Sequence, residues 1–218
     1  MPIDKPSAPS PTVTAFRVSL PAFLAGPLYG QAGGLVGAAS LNPNPALPTL
    51  ADVTAPDGTL EHDPQQLFVL GLQDIQAGKT LAAATEAGWR FFAGNAPGKV
   101  VVGYASLRPP NTAWKLTNVT VGPGVFSSLQ QSHGLNALPQ VKDNLYDLRF
   151  LKIPGINVEA FWLFSRSDAP ALLVPSPAGA DQLQEPLANQ PIYTEPDFLN
   201  IVQTLTAKRI DYPPQYGS

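Results

Sequence analysis

The segment LYDLRFLKIPGINVEAFWLF, residues 145–164, decides the fold of this chain. Two runs rich in aromatic and branched side chains flank the pair Pro154-Gly155, which is typical of a type II turn. Strand-like runs on both sides of a turn predict an antiparallel hairpin, with strands over 145–153 and 156–164. The other elements of the fold are predicted from the segments that precede and follow this hairpin.

A tight turn would also fix the register of the hairpin, because residues at equal distances from the turn face each other. Most side chains on both faces are apolar, so we expect other parts of the protein to cover both faces. The expected pairs are Ile153 with Ile156, Leu151 with Val158, and Arg149 with Ala160.

Neighbouring segments supply the other strands of an antiparallel sheet. Residues 99–107, 113–121 and 171–175 are rich in β-branched side chains, which predicts a strand in each. Residues 12–20 share this richness and alternate roughly between polar and apolar, so they are expected to form the first strand. The apolar run 67–72 fits either a strand or a helix.

A helix is predicted over residues 80–92, immediately before these strands. Its three consecutive alanines are strong helix formers, and its larger apolar side chains fall near one face. We expect this helix to cover one face of the sheet and to end near Gly94. A further helix is expected within 125–138, ending or interrupted at Gly134.

The last helix has the clearest beginning. Thr194 is a typical N-cap residue, followed by Pro196 and by Asp197 three positions on. A stripe of apolar side chains follows at helical spacing, which predicts a helix docked on the body of the protein. The stripe comprises Phe198, Ile201, Val202 and Leu205.

Together these elements predict an α+β fold: an antiparallel sheet of four to six strands packed on a helix, with a C-terminal helix and long irregular segments rich in proline and glycine. A helix followed by antiparallel strands resembles the element order of cystatin-like and NTF2-like folds, over residues 80–175 only. The resemblance implies a sheet that curls round the helix. No residue motif accompanies it, so it implies no functional residue.

The chain is expected to form one domain with two tails. Residues 1–11 are a proline-rich, flexible tail, 12–210 form the single α+β domain, and 211–218 form a C-terminal tail. Within the domain, residues 18–51 carry no charged side chain and are rich in glycine and proline. This uncharged arm is expected to pack against the body or against another subunit, although an export signal ending near residues 38–40 is an alternative.

Composition excludes several functions. Only 13% of the residues are charged and the net charge is −3, which provides no field that attracts nucleic acid. The absence of cysteine excludes disulfides and thiolate metal sites. Pro21 and Pro27 argue against a membrane-spanning helix in the uncharged arm. No cofactor or metal is expected, and the lack of a clear signal peptide favours a cytoplasmic location.

Few residues indicate catalysis. The tripeptide Gly78-Lys79-Thr80 ends like a phosphate-binding loop, but Gln73 occupies the position at which that loop requires glycine. The run Glu61-His62-Asp63 is the only dense cluster of potential metal ligands, and a strand or loop would point its members apart. His133 near Ser127 or Ser128 could serve as a base, and Glu159 in its apolar strand as an acid or base. We expect Glu159 instead to pair with Lys152 across the hairpin.

Aromatic residues are the best candidates for a binding surface. Trp89, Tyr104, Trp114 and Trp162 could line one concavity if the sheet curls, with Arg149 and Glu159 as polar groups in it. In the C-terminal tail, Pro213, Pro214 and Tyr216 match the P-P-x-Y pattern that WW domains bind.

Three functional hypotheses follow. The first is a non-catalytic binding or assembly module that associates with a protein partner or with itself, because the uncharged arm and the two apolar sheet faces provide surface to bury. The second is a small-molecule-binding domain with a pocket between helix 80–92 and the sheet. The third is an enzyme that uses His133 or Glu159.

Overall fold

A computed structural model describes residues 3–25, 48–54, 63–94, 96–107, 113–176, 187 and 191–211. The described residues form an α+β fold around one sheet of nine strands, which is more than the four to six expected. The strand order is β5-β4-β3-β2-β6-β7-β8-β9, and β1 pairs with the end of β6. Strand β6 is parallel to β1 and β2; the other neighbours are antiparallel.

The strands are β1 (Ile3–Asp4), β2 (Asp63–Val69), β3 (Thr85–Ala93), β4 (Val101–Ser106), β5 (Lys115–Val121), β6 (Tyr146–Ile153), β7 (Val158–Ser165), β8 (Leu172–Ser176) and β9 (Tyr193–Thr194). The helices are α1 (Ser10–Ala25), α2 (Leu50–Val53), α3 (Leu72–Gln76), α4 (Pro123–Gly134) and α5 (Glu195–Asp211). Short 3₁₀ turns occur at Leu81–Ala83, Leu135–Ala137, Pro139–Val141 and Pro154–Ile156.

The central hairpin is confirmed, but its register is shifted by two residues. Ile153 faces Val158 rather than Ile156, and Arg149 faces Trp162 rather than Ala160. The cause is the turn, which is longer than a type II turn: it is a 3₁₀ turn completed by Asn157 in the left-handed conformation with φ 51°. Asparagine tolerates that conformation better than most residues.

The prediction of a helix over residues 80–92 is wrong. Residues 81–83 form only a 3₁₀ turn, and Thr85–Ala93 is strand β3, hydrogen-bonded between β2 and β4. The aromatic residues of this segment favour a strand that is covered on both sides, and this tertiary context overrides the helix propensity of the alanines. The resemblance to cystatin-like and NTF2-like element order depended on that helix, so its basis is absent.

The prediction of a first strand over residues 12–20 is also wrong, because these residues belong to helix α1. Thr12, Phe16 and Leu20 are fully buried at four-residue spacing, which is the period of one helix face. The ring of Phe16 stacks on that of Phe91 in β3 at 4.8 Å. Residues 3–4, which the sequence assigned to a flexible tail, pair with β6 as strand β1.

The five strands predicted at 99–107, 113–121, 145–153, 156–164 and 171–175 correspond to β4 through β8. The helices expected near 125–138 and after Thr194 correspond to α4 and α5. In α5, Phe198 and Val202 are fully buried, and Ile201 and Leu205 pack beside them. The predicted stripe of this helix is therefore confirmed.

The sheet has one face that we call the inner face, defined by Arg90, Tyr104, Phe150, Glu159 and Phe161. Tyr104 on β4 and Glu159 on β7 are four strand spacings apart, which is about 19 Å in a flat sheet. Their side chains nevertheless lie 3.5 Å apart. The sheet must therefore curl strongly toward the inner face.

Each face shares an apolar core with helices. On the inner face, Val125 and Leu129 of α4 belong to the same buried cluster as Phe150 and Phe161. On the opposite, outer face, α1 contributes Phe16 and Leu20 to a cluster beside β3–β5. The other end of the outer face carries the apolar stripe of α5. In the described part of the chain, no helix is long and apolar enough to cross a membrane.

Candidate ligand-binding site

A fully buried arginine lies between the inner face and α4. Arg90, on β3, is 1% exposed, and its Nη2 donates to the hydroxyl of Ser128 on α4 at 2.9 Å. The Ser128 hydroxyl is in turn 2.6 Å from that of Ser176 on β8. The Nε and Nη1 nitrogens of Arg90 have no hydrogen-bond acceptor among the described residues. Arg90 also forms no ion pair with any carboxylate of the described residues.

Aromatic rings hold the guanidinium in position. The Arg90 Cζ lies 3.7 Å from the centroid of the Phe150 ring and 4.4 Å from that of Phe92. A cation over the face of an aromatic ring is attracted by the negative potential of that face, with an energy of about 0.5–2 kcal/mol. The rings therefore orient the guanidinium without neutralising its charge.

Further unpaired polar atoms adjoin Arg90. Gln65 on β2 is the direct cross-strand neighbour of Arg90 and is fully buried. In the part of the chain that the structure describes, neither its Nε2 nor its Oε1 has a partner. Gln131, one helical turn beyond Ser128, donates to the Pro175 carbonyl at 2.9 Å, while its Oε1 is buried and unpaired. Buried polar groups are normally hydrogen-bonded, so this concentration is unusual.

Glu159 lies on the same inner face and is already paired. Its Oε1 accepts from Lys152 Nζ at 2.9 Å and from the Tyr104 hydroxyl at 3.5 Å, which confirms the predicted ion pair. Lys152 Nζ also lies 5.0 Å from the centroid of the Tyr104 ring. Burial raises the pKa of Tyr104 well above its usual range, and nearby Arg90 opposes this effect. Tyr104 is therefore neutral and acts as a hydrogen-bond donor.

His133 belongs to a different group at the end of α4. Its Nε2 is 3.8 Å from Asp63 Oδ2, and the same carboxylate accepts from Ser132 at 3.1 Å and from Lys5 at 3.0 Å. Ser128, one of the two serines predicted beside His133, is bonded to Arg90 and Ser176 instead. The adjacent Ser132 donates to the aspartate and not to the histidine. This geometry does not make Ser132 a nucleophile activated by His133, because such a serine must give its proton to the base.

The residues predicted to line one concavity are divided between the two faces. Tyr104 and Glu159 lie together on the inner face, whereas Trp89 and Trp114 pack in the outer cluster beside α1. Trp162 and Arg149 also lie on the outer face, directly opposite each other on β7 and β6.

Arg149 is surrounded by aromatic rings on the outer face. Its Cζ is 3.7 Å from the centroid of Phe164, 5.0 Å from that of Trp162 and 4.9 Å from that of Phe68. Partial burial lowers the pKa of Arg149, while Asp147 and Glu86 act in the opposite direction. This arginine remains half-buried and has acidic neighbours, in contrast to Arg90.

Sequence reasoning missed Arg90, Gln65, Ser128 and Ser176 as members of one site. A signal was present in Gly88-Trp89-Arg90-Phe91-Phe92, because strand alternation places Arg90 and Phe92 on one face and the other two aromatic residues on the opposite one. The helix predicted for this segment concealed that alternation.

Three predicted features fall wholly or partly outside the described residues. The first is the uncharged arm, of which residues 26–47 are not described. Of the run Glu61-His62-Asp63, only Asp63 is described, and within the described ranges no three acidic or histidine side chains are grouped to hold a metal ion. The P-P-x-Y pattern over 213–216 lies beyond the last described residue.

Comparison with known proteins gives no relative. No known family matches the chain, and no curated protein and no solved structure is significantly similar to it. Functional inference therefore depends on the geometry of the chain itself.

Proposed function

We propose that this chain is a non-catalytic binding module that holds a small molecule between the inner face of its sheet and α4. The observation that carries the proposal is the fully buried Arg90. Within the described ranges its Nε and Nη1 lack acceptors, and the neighbouring Gln65 side chain lacks any partner. Leaving a buried polar group unpaired costs about 1–3 kcal/mol, and more for a charged group. Such a cost is expected where a ligand supplies the missing partners.

The proposal corrects the location of the pocket expected from the sequence. Because residues 85–93 are a strand, the ligand cannot lie between a helix 80–92 and the sheet. Helix α4 takes the place of that helix, and its Ser128 and Gln131 contribute polar atoms to the site.

The described acidic and histidine side chains favour binding over catalysis, because their partners leave none of them activated. Glu159 is neutralised by Lys152, and the Asp63 carboxylate engages Ser132 directly. Lys5 also binds the Asp63 carboxylate at 3.0 Å, and an ion-paired carboxylate is a weak base, so neither arrangement supports general base catalysis.

The test replaces unpaired polar atoms by apolar ones of similar size. Gln65→Met should raise the free energy of unfolding of the ligand-free protein by about 1–3 kcal/mol, because it removes an uncompensated burial. The same variant should reduce the thermal shift that the wild type shows with any ligand found in a chemically diverse library.

Ser128→Ala is the matched control, because Ser128 is bonded to both Arg90 and Ser176. Loss of the Ser128 hydroxyl should lower the free energy of unfolding. If Gln65→Met destabilises the protein as much as Ser128→Ala does, the glutamine is a structural group and the proposed site is refuted.

A second candidate function is self-association through α1. The exposed side chains of its second half are apolar: Val18 is 71% exposed and Phe23 37%, with Ala22 and Ala25 beside them. Exposed apolar side chains on one helix suit an assembly surface. Size exclusion coupled to light scattering tests this: a dimer or larger oligomer should become a monomer in Val18→Glu/Phe23→Glu, and a wild-type monomer at high concentration would refute it.

A further inference from the structure

We propose that the ligand held by Arg90 is a carboxylate with a single negative charge, attached to an apolar or aromatic body. This inference rests on the proposed binding function and adds the chemical class of the ligand. It depends on the hydrogen-bonding geometry of Arg90, on the local sum of charges and on the surrounding side chains.

The geometry of the guanidinium matches a carboxylate. A guanidinium has five N–H donors in one plane, and Arg90 uses one of them, on Nη2, for Ser128. At least one edge of the plane therefore keeps two parallel N–H groups, with Nε and Nη1 both unpaired. Two parallel N–H groups fit the two oxygens of a carboxylate, and this bidentate pairing is stronger than two neutral hydrogen bonds.

The local charges favour a monoanion. The charged side chains described around the inner cluster are Arg90, two ion pairs and no other carboxylate. Lys152 neutralises Glu159, and Lys5 neutralises Asp63 at the end of β2. One positive charge thus remains on Arg90, and one negative charge would balance it. A phosphate ester with two negative charges would leave a buried excess charge, which is strongly unfavourable in an apolar environment.

The neighbouring side chains favour an apolar body on the ligand. Phe92, Phe150 and Phe161 surround the guanidinium within 6.0 Å of their centroids, and Leu67 belongs to the same cluster. The amide of Gln65 can donate to or accept from a second polar atom of the ligand. A small, fully hydrated anion would make no apolar contact with these side chains.

Calorimetric titration of the full chain tests the inference with defined probes: benzoate and octanoate, their neutral analogues benzamide and octanamide, and inorganic phosphate. We expect the carboxylates to bind and the amides to bind at least about tenfold more weakly, since a charge-assisted bond is lost. Arg90→Lys keeps the charge but removes the bidentate geometry, and it should weaken carboxylate binding about ten- to a hundredfold.

Arg149→Lys, on the outer face, is the control and should bind the carboxylates like the wild type. Because Arg90→Lys can disturb folding, Gln65→Met and the NMR signal of the Arg90 Nε–H group provide independent readouts. That signal should shift on titration with benzoate in the wild type, and Gln65→Met should weaken binding.

The outcomes separate this inference from the function on which it rests. Carboxylate binding that depends on Arg90 supports both. If phosphate or a neutral amide binds through Arg90 more tightly than its carboxylate counterpart, the ligand class is wrong and the binding function stands. If no probe binds and Gln65→Met does not raise stability, both are overturned.

Discussion

Lys152 and Glu159 lie directly opposite each other across the β6–β7 hairpin, with Nζ 2.9 Å from Oε1. The carboxylate is almost completely buried, and the lysine is about one quarter exposed. The pair thus neutralises the only buried carboxylate described on the inner face. This arrangement is the reason why the charge of Arg90 remains uncompensated.

The first prediction concerns the strength of this pair. Lys152→Met should destabilise the protein by about 3 kcal/mol, because it leaves a buried carboxylate unpaired. In a Glu159→Gln background the same substitution should cost much less. A double-mutant cycle from urea unfolding should give a coupling energy of about 2 kcal/mol.

Lys79 and Asp74 form the matched control for this cycle. Their atoms are 2.7 Å apart, but both side chains are substantially exposed. The coupling energy of such an exposed pair should be below about 1 kcal/mol. Equal coupling in the two pairs would contradict the assignment of Lys152–Glu159 as a buried pair.

The second prediction is an alkaline transition governed by Tyr104. Burial raises its pKa in the folded protein above the ordinary value of 10.0. The unfolded chain therefore releases the phenolic proton first, so the stability contributed by Tyr104 is complete below about pH 10 and is lost as the pH rises further. In Tyr104→Phe the free energy of unfolding should fall less steeply above pH 10.

Denaturant unfolding at a series of alkaline pH values measures this slope. Tyr146, whose pKa burial also raises, should contribute in the same direction. Glu159→Gln should lower the pKa of Tyr104, since Glu159 contributes to raising it. A Tyr104→Phe variant with the wild-type alkaline slope would contradict the prediction.

Segments whose local signals agree could be predicted from the sequence. The β6 and β7 strands combine strand-forming residues with a turn between them, and α5 combines an N-cap with an apolar stripe. Each of these elements is specified by neighbouring residues. The register of the hairpin could not be predicted in this way. It depends on Asn157 adopting a left-handed conformation, which the pair Pro154-Gly155 does not indicate.

Segments whose local signals conflict with the tertiary context were predicted wrongly. Residues 12–20 contain β-branched residues, but the burial of Phe16 and Leu20 against β3 stabilises a helix. Residues 85–93 follow a run of alanines, but pairing with β2 and β4 makes them a strand.

The candidate site was beyond sequence reasoning for the same reason. It joins Arg90 and Gln65 to Ser128 and Ser176. Arg90 and Ser128 are 38 positions apart in the chain, and Ser128 and Ser176 are 48 positions apart. The parallel pairing of β2 with β6, which brings the two halves of the sheet together, connects residues far apart in sequence and leaves no local signal.

The third prediction concerns the glycine at the start of the aromatic run in β3. Gly88 has φ +142°, and a Cβ added to it would lie 2.2 Å from the carbonyl oxygen of Ala105 in β4. Gly88→Ala should therefore destabilise the protein by about 2–4 kcal/mol, through backbone strain and displacement of β4.

Gly78→Ala separates these two causes, because Gly78 has φ +67° but no atom near the added Cβ. It should cost only about 1 kcal/mol, from the left-handed backbone alone. Chemical unfolding of both variants checks the difference. If Gly88→Ala cost no more than Gly78→Ala, the close approach of β3 and β4 would be disproved.

The last prediction concerns acid stability at α2. The pKa of the Asp52 carboxyl is lowered from 3.8 to about 2, chiefly by the hydrogen bond from Lys99 and then by those from Thr49. The unfolded chain takes up the proton first as the pH falls. The stabilisation contributed by Asp52 is therefore complete above about pH 4 and is lost as the pH falls through about 2.

NMR titration of the Asp52 side-chain carbon gives its pKa directly. Lys99→Met should raise this value toward 3.8 more than Thr49→Val does, because Lys99 provides the largest effect and the backbone N–H of residue 49 remains in the valine variant. The free energy of unfolding of Asp52→Asn should also change less between pH 4 and pH 2 than that of the wild type. An Asp52 that titrates near 3.8 in the wild type would show that the contacts with Lys99 and Thr49 do not form in solution.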